Sequence, residues 1–151
     1  QNLSSIKDAD IIIINGDQNI DFENKILQKN NNLEIYYSSY RPININEFNN
    51  KNLLAVAGIG NPENFFQLME ENGLNIQKKI IYPDHYIFSK REVEDIITRA
   101  EKDKCKVIMT EKDFFKIKDF NLRNLNYLKV KLQIEEKEKL LNKIKKIYEN
   151  N

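Results

Sequence analysis

The stretch LLAVAGIGNPENFFQLMEENG (residues 53–73) contains a complete strand–turn–helix unit, and it decides the fold class. Its first part is a continuous apolar run, typical of a strand buried on both faces of a sheet. Asn61 then stands as a candidate helix N-cap, Pro62 occupies the first helical position and Gly73 ends the helix. A covered strand followed at once by a helix is typical of a parallel sheet.

The same alternation of strand and helix patterns extends along nearly the whole chain. Apolar or β-rich runs predict strands at 10–15, 33–38, 53–58, 76–82, 106–110 and 127–132. Helical patterns are predicted at 21–29, 61–73, 89–103, 111–117 and 135–151. This order predicts an α/β fold: a three-layer sandwich with a mostly parallel, Rossmann-like sheet.

Two helices have further signals at their ends. Ser89 and Glu92 have the spacing of a capping box, and apolar residues follow at i, i+3, i+4 and i+7. The helix at 135–151 begins with acidic residues and is rich in lysine toward its end, which we interpret as a solvated face. The asparagine pair at 49–50 predicts a join between a strand-rich opening segment, 1–51, and a compact α/β unit, 52–151.

Composition excludes several classes of function. The 24 basic and 23 acidic residues give a net charge of +1, so nothing indicates a nucleic-acid partner. A single cysteine, Cys105, excludes an internal disulfide, and with one histidine the usual zinc ligand sets cannot form, so we predict no metal site in this chain. No apolar stretch approaches the ~20 residues of a membrane span, and the first residues lack a signal-peptide pattern, so we expect a soluble chain.

Three polar segments follow consecutive predicted strands. They are AGIGNPENFF (57–66), PDH (83–85) and TEKDFFK (110–116). Because the carboxyl ends of parallel strands meet at one edge of a sheet, where α/β folds usually bind ligands, we expect these three loops to lie together. The sequence therefore predicts a ligand-binding edge.

The first loop allows two interpretations. Gly58 and Gly60 follow a strand and open a helix, as in dinucleotide-binding loops, but the third position of that motif is Glu63, whose carboxylate would repel a phosphate. A tight turn capped by Asn61 is the leading alternative. None of the four glycines precedes a lysine, so this chain has no P-loop of its own.

The other two loops also have a structural and a functional interpretation. Thr110 can cap a short helix with Asp113 returning the bond, whereas Lys112 in the first turn can hold a phosphate. His85, the sole histidine, can transfer a proton or orient a carboxylate, or it can be an ordinary surface residue. Asp84 can brace the turn without pairing with His85.

Taken together, the segments resemble the C-terminal part of the tetraacyldisaccharide 4'-kinase (lipid A 4'-kinase) family of Gram-negative bacteria. The resemblance is to KDADIIIINGD (7–17), to residues 53–74, to YPDHYIFSKREVEDI (82–96) and to VIMTEKDFFKI (107–117). Residues 18–52 and the last thirty resemble the family in general character only. The resemblance covers most of the chain, and the motifs as a set are specific.

This resemblance implies an enzyme that transfers the γ-phosphoryl group of ATP, with Mg²⁺, to the 4'-hydroxyl of a tetraacyldisaccharide 1-phosphate at the cytoplasmic face of the inner membrane. It places His85 and Asp84 at the family's catalytic Asp-His position. It places six further residues near substrate or phosphate: Gly58, Gly60, Asn61, Thr110, Lys112 and Asp113.

In that family the P-loop, the metal-binding acids and most of the membrane contact belong to an N-terminal part that is absent from this sequence. The implied partners are therefore that part of the same kinase and the lipid A disaccharide precursor, and we expect the chain alone to be inactive. Two alternatives stay open at this point. One is a non-catalytic Rossmann-like binding or regulatory module, and the other is an independent nucleotide-binding domain.

Overall fold

The computed structural model describes residues 3–149, and the chain divides into two compact units. The central unit is Pro42–Lys131. The terminal unit combines Gln1–Arg41 with Leu132–Asn151. Each unit has its own sheet, so the strands are divided between two sheets, which the alternating sequence pattern did not predict.

The central unit is a parallel α/β unit. In chain order its elements are β3 (Asn52–Ala57), α2 (Pro62–Glu71), β4 (Asn75–Ile81), α3 (Lys90–Lys102), β5 (Lys106–Thr110), α4 (Glu111–Ile117) and β6 (Leu125–Leu128). Short 3-10 helices span Ile45–Glu47 and Lys118–Phe120. The strand order is β4-β3-β5-β6, and every neighbouring pair is parallel.

Strand β3 lies in the middle layer of this unit, and its side chains alternate between two cores. Leu53, Ala55 and Ala57 pack with the α2 residues Phe65, Phe66 and Met69. Leu54 and Val56 pack with the α3 residues Val93, Ile96 and Ala100. All five strand residues are at most 1% exposed. Helices therefore cover both faces of the sheet, and the predicted α/β class with a mostly parallel sheet is confirmed.

The helix ends of the central unit follow the predicted capping chemistry. Asn61 Oδ1 accepts a hydrogen bond from Asn64 N (3.4 Å) at the start of α2. Ser89 and Glu92 form a reciprocal capping box at the start of α3. Helix α4 has the bounds that the sequence predicted. Local capping bonds satisfy backbone donors that a helix cannot satisfy itself, so these ends are readable from sequence.

The terminal unit contains β1 (Ile11–Asn15), α1 (Ile20–Leu27), β2 (Glu34–Pro42), β7 (Val130–Ile134) and α5 (Lys137–Glu149), after a 3-10 helix at Leu3–Asp8. Its sheet has the order β1-β2-β7, with β1 and β2 parallel. A small core contains Ile6, Ile26 and Leu33. On α5, Leu140 is buried and Lys143 pairs with Glu34 at 2.8 Å.

The predicted strand at 127–132 is wrong as a single element. It is two strands in different sheets, β6 and β7, separated at Lys129. Asn44 fixes this break, because its Nδ2 donates to Tyr127 O (3.1 Å) and its Oδ1 accepts from Lys129 N (2.8 Å). Beside it, Ile43 N donates to Lys129 O at 2.9 Å.

The division into units also differs from the expected join at 49–52. The first unit ends at Arg41, and the chain returns to it at Leu132 because β7 joins the sheet of β2. A sequence pattern shows where strands lie but not which strand each one pairs with. Within residues 3–149, no helix has the length and apolar character needed to cross a bilayer.

Candidate functional site

The three predicted loops meet at one edge of the central sheet. In the strand register Ala57 lies beside Ile81, and Val56 lies beside Met109, so β3, β4 and β5 end together. Tyr82 N extends this alignment by donating to Ala57 O at 2.8 Å. The expectation that the three loops converge is therefore confirmed.

His85 lies in a tight turn that projects from this edge. Tyr86 N donates to Pro83 O at 3.2 Å and closes the turn. His85 has φ +60°, the left-handed region that histidine enters more readily than most residues. Its backbone N–H donates to Asp84 Oδ1 at 2.9 Å. The imidazole is directed outward, with 75% of its side-chain surface exposed.

The carboxylate of Asp84 is the centre of a small polar cluster. Lys112 Nζ lies 3.6 Å from its Oδ1, and His85 Nε2 lies 3.8 Å from its Oδ2. The second distance is too long for a hydrogen bond, so the His85 imidazole is not bonded to the Asp84 carboxylate, which bonds only the backbone N–H of His85. All three side chains are about half or more exposed. A reacting group can therefore approach a cation, a carboxylate and an imidazole at once.

Asp113 is placed differently from these residues. Its side chain is completely buried. Oδ2 accepts from Gly58 N and from Thr110 Oγ1, each at 2.7 Å, and Oδ1 accepts from Lys116 Nζ at 2.7 Å. Because both carboxylate oxygens are occupied by donors of the protein, Asp113 joins the β3 loop to α4 and does not face solvent.

The two glycines of the first loop allow close packing against these carboxylates. A Cβ on Gly58 would lie 3.4 Å from Asp113 Oδ1 and 3.5 Å from both Tyr86 Cβ and Phe88 Cζ. A Cβ on Gly60 would lie 3.2 Å from Asp84 Oδ2. The glycines therefore serve contact between loops, whereas Asn61 caps α2.

Lys116 is a site residue that sequence reasoning missed. Besides its ion pair with Asp113, its Nζ lies 3.4 Å from the carbonyl oxygen of Tyr86, the residue after His85. Its position three residues after Asp113 was a weak signal for an ion pair along a helix. The contact with Tyr86 joins positions 30 residues apart and left no signal in the sequence.

A second missed contact joins the turn to helix α3. The Tyr86 hydroxyl donates to Glu92 Oε1. Hydrogen bonds lower the pKa of Glu92 to about 2. The bond from the Ser89 side chain has the largest effect, followed by the bonds from the Tyr86 hydroxyl and the Ser89 backbone N–H. The same bond to Glu92, together with desolvation, raises the pKa of Tyr86. The capping carboxylate of α3 thus also secures the residue after His85.

The site is an open edge and not an enclosed cavity. A groove of about 480 Å³ lies elsewhere, along β4 and α3, and its lining includes Lys78, Arg99 and Lys102 but none of the predicted site residues. Between residues 3 and 149, no group of three or more histidine, cysteine, aspartate or glutamate side chains is arranged to hold a metal ion.

Comparisons with a family model and with curated proteins identify the same family. A family model described as "Tetraacyldisaccharide-1-P 4'-kinase" matches residues 1–149. The tetraacyldisaccharide 4'-kinase of Pelagibacter ubique is 34% identical over 154 residues, which cover 100% of this chain and 49% of that protein. The enzyme of the same name from Francisella novicida is 41% identical over 88 residues, 58% of this chain and 26% of that protein.

A solved structure is similar over nearly the whole chain. It is the crystal structure of "apo" form LpxK from Aquifex aeolicus in complex with ATP, with a TM-score of 0.58 and 18% sequence identity. The similarity covers 97% of this chain and 45% of that one, and at this identity it shows the fold. The chain thus spans about half the length, or less, of the relatives it matches.

Proposed function

Because this chain belongs to the tetraacyldisaccharide-1-P 4'-kinase family, we propose that it forms one wall of a cleft in which such a kinase transfers the γ-phosphoryl group of ATP to the 4'-hydroxyl of a tetraacyldisaccharide 1-phosphate. The observation that supports this role is the exposed cluster of His85, Asp84 and Lys112 where β3, β4 and β5 end. The family match does not favour the alternative of a non-catalytic module.

The roles we assign follow from exposure and charge. His85 acts on the reacting groups, since an exposed imidazole can relay a proton or orient a carboxylate supplied by the rest of the kinase. Asp84 sets the position of the turn and forms an ion pair with Lys112. Lys112 binds phosphate, because a half-exposed ion pair contributes at most about 1 kcal/mol and an incoming anion competes for the ammonium easily.

We assign the remaining predicted residues to positioning. Gly58 and Gly60 let the loops pack closely against one another. Asn61 caps α2 and Thr110 caps α4. The buried Asp113 joins the β3 loop to α4 through its bond from Gly58 N. Phosphoryl transfer depends mainly on positioning and charge neutralisation, so such a wall can be essential without holding the nucleotide by itself.

The rest of the same kinase supplies the P-loop, the Mg²⁺ ligands and most of the membrane contact in this proposal. What supports this is the absence of a Gly-Lys-Ser/Thr loop from the sequence, and the coverage of at most 49% of the relatives' length. The full enzyme would act at the cytoplasmic face of the inner membrane, where a lipid acceptor and ATP are both accessible.

The test is a kinase assay on the full-length enzyme that contains this chain, with ATP and tetraacyldisaccharide 1-phosphate. His85→Asn should lower kcat by about 10²-fold or more with little change in the KM for ATP, the scale of a positioned acid–base group. Asparagine tolerates the left-handed backbone but cannot transfer a proton, so it separates chemistry from folding.

Lys104→Asn is the matched control for this assay. Lys104 is also left-handed, with φ +54°, but it lies after α3, in the turn before β5. It should leave kcat unchanged. Near-normal turnover by His85→Asn would remove the proposed role of the histidine.

A further inference from the structure

We propose that Lys116 is a positioning residue for His85: anchored on the buried Asp113, its ammonium holds the carbonyl of Tyr86 and so fixes the turn that presents the imidazole. This inference rests on the proposed function, because the position of His85 matters only if His85 takes part in the reaction. Lys116 itself faces the turn and not the reacting groups, so its effect is indirect.

The anchor is the buried carboxylate of Asp113. A charge without access to water is costly unless opposite charge and hydrogen bonds compensate it. Lys116 supplies the charge at 2.7 Å, while Gly58 N and Thr110 Oγ1 occupy the other oxygen. Since Asp113 cannot move without losing these bonds, the ammonium of Lys116 is held in place as well.

From this anchor Lys116 reaches the turn. Its Nζ lies 3.4 Å from Tyr86 O, and only 27% of its side-chain surface is exposed. Tyr86 is also fixed on its other side, by ring contacts with Tyr82 and Phe88 at 4.5 and 5.1 Å between centroids. The residue after His85 is therefore held through both its side chain and its carbonyl group.

Helix α4 contacts the turn on both sides of the histidine. Lys112 pairs with Asp84, the residue before His85, and Lys116 contacts Tyr86, the residue after it. Residues four apart lie on the same face of a helix, so one helix face supplies both contacts. The left-handed backbone of His85 is a conformation that persists only where its surroundings determine it, and these contacts do so.

Because His85 is the sole histidine, a chain labelled with ¹⁵N-histidine has one labelled backbone amide, that of His85. Backbone ¹⁵N relaxation of this amide tests the inference directly. In the chain described here, the His85 amide should have an order parameter of about 0.85, the value of rigid backbone. Lys116→Met, which keeps the stem and removes the ammonium, should lower it toward about 0.6, the upper limit for flexible segments. Lys116→Arg should restore it. Lys118→Met removes a lysine that lies over Phe115 and should change nothing at His85.

The same variants in the full-length kinase supply a second readout. Lys116→Met should lower kcat by about 10- to 100-fold, the effect of a small misplacement, with the KM for ATP nearly unchanged. Lys116→Arg should recover most of the rate. A folded Lys116→Met chain with a wild-type His85 order parameter and wild-type kcat overturns the inference.

The remaining outcomes separate this inference from the proposed function. If Lys116→Met does not fold, the wild-type chain decides: rigid backbone at His85 supports the inference, and clearly mobile backbone overturns it. If His85→Asn lowers kcat but Lys116→Met changes neither readout, the positioning inference alone fails. If Lys116→Met loosens the turn while neither variant affects kcat, positioning stands and the proposed function fails.

Discussion

Gly60 lies directly against Asp84, so closely that a Cβ on Gly60 would stand 3.2 Å from Asp84 Oδ2. Gly60→Ala should therefore displace the Asp84 carboxylate from Lys112 and His85. Because Asp84 is 45% exposed and can move into solvent, the free energy of unfolding should change by less than about 1 kcal/mol. In the full-length kinase kcat should fall about tenfold, as for a small misplacement of a reacting group.

Gly73→Ala is the matched control for this substitution. Gly73 has φ +75° with open space around its Cα, so an added Cβ strains the backbone and touches nothing else. It should cost about 1 kcal/mol or more of stability and leave kcat intact. Denaturant melts and kinase assays on both variants measure the two effects. Equal kcat for the two alanine variants would mean that Asp84 need not be held.

Lys112→Met should raise the KM for at least one of the two substrates, ATP or the tetraacyldisaccharide 1-phosphate, by a larger factor than it lowers kcat. A lysine that binds phosphate in the ground state contributes to binding before the reaction, so its loss appears in KM. Lys118→Met, at the residue that follows α4, serves as the charge-matched control. Initial rates at limiting and saturating concentrations of each substrate check this. An unchanged KM for both substrates would mean that Lys112 does not bind phosphate and serves only in its ion pair with Asp84.

Glu92→Gln should make stability less dependent on pH. The pKa of Glu92 is lowered from 4.5 to about 2, so its carboxylate stabilises the fold above about pH 4.5, and this contribution is lost as pH falls toward 2. The difference in the free energy of unfolding between wild type and Glu92→Gln should thus be largest near neutral pH and should shrink as the pH falls from 4.5 through 2. Urea unfolding at several pH values measures it.

The control for the pH experiment is Glu94→Gln, which removes the same charge from an exposed position on the same helix. This variant keeps Glu92 and its bonds from Ser89 and Tyr86, so it separates the loss of one surface charge from the loss of those bonds. A wild-type minus Glu92→Gln difference that stays constant across this range would show that the carboxylate contributes as a neutral acceptor only.

The chain by itself should bind MgATP weakly or not at all. It has no Gly-Lys-Ser/Thr loop, and Glu63 in the first turn of α2 opposes an anion there. Isothermal titration calorimetry at micromolar protein concentration measures the affinity. Low-micromolar binding by this chain would favour an independent nucleotide-binding domain over the kinase wall that we propose.

Sequence reasoning succeeded where the cause of structure is local. Helix α4 begins at its cap Thr110 and α3 at the Ser89–Glu92 box, both as predicted, because each cap involves residues only three apart. It failed at the strand predicted at 127–132. There the division into β6 and β7 depends on Asn44, more than 80 residues earlier. Local composition carries no information about such a partner.

The same distinction applies to the candidate site. The convergence of three loops follows from parallel strands, so it was predictable. The burial of Asp113 was not, since its bond to Gly58 N joins residues 55 apart. Neither the left-handed backbone of His85 nor the reach of Lys116 to Tyr86 has a signal in the sequence, because both depend on packing between separate loops.

The hydrogen bond between Ile43 N and Lys129 O brings two residues near the opposite ends of the central unit side by side. In topological terms the central unit is thus a domain insertion whose own chain begins and ends at neighbouring points. Such closed insertions are the kind that tolerate transplantation. Every candidate site residue lies within the insertion, so all of them can be exchanged together between homologues while the other sheet keeps its strand order β1-β2-β7.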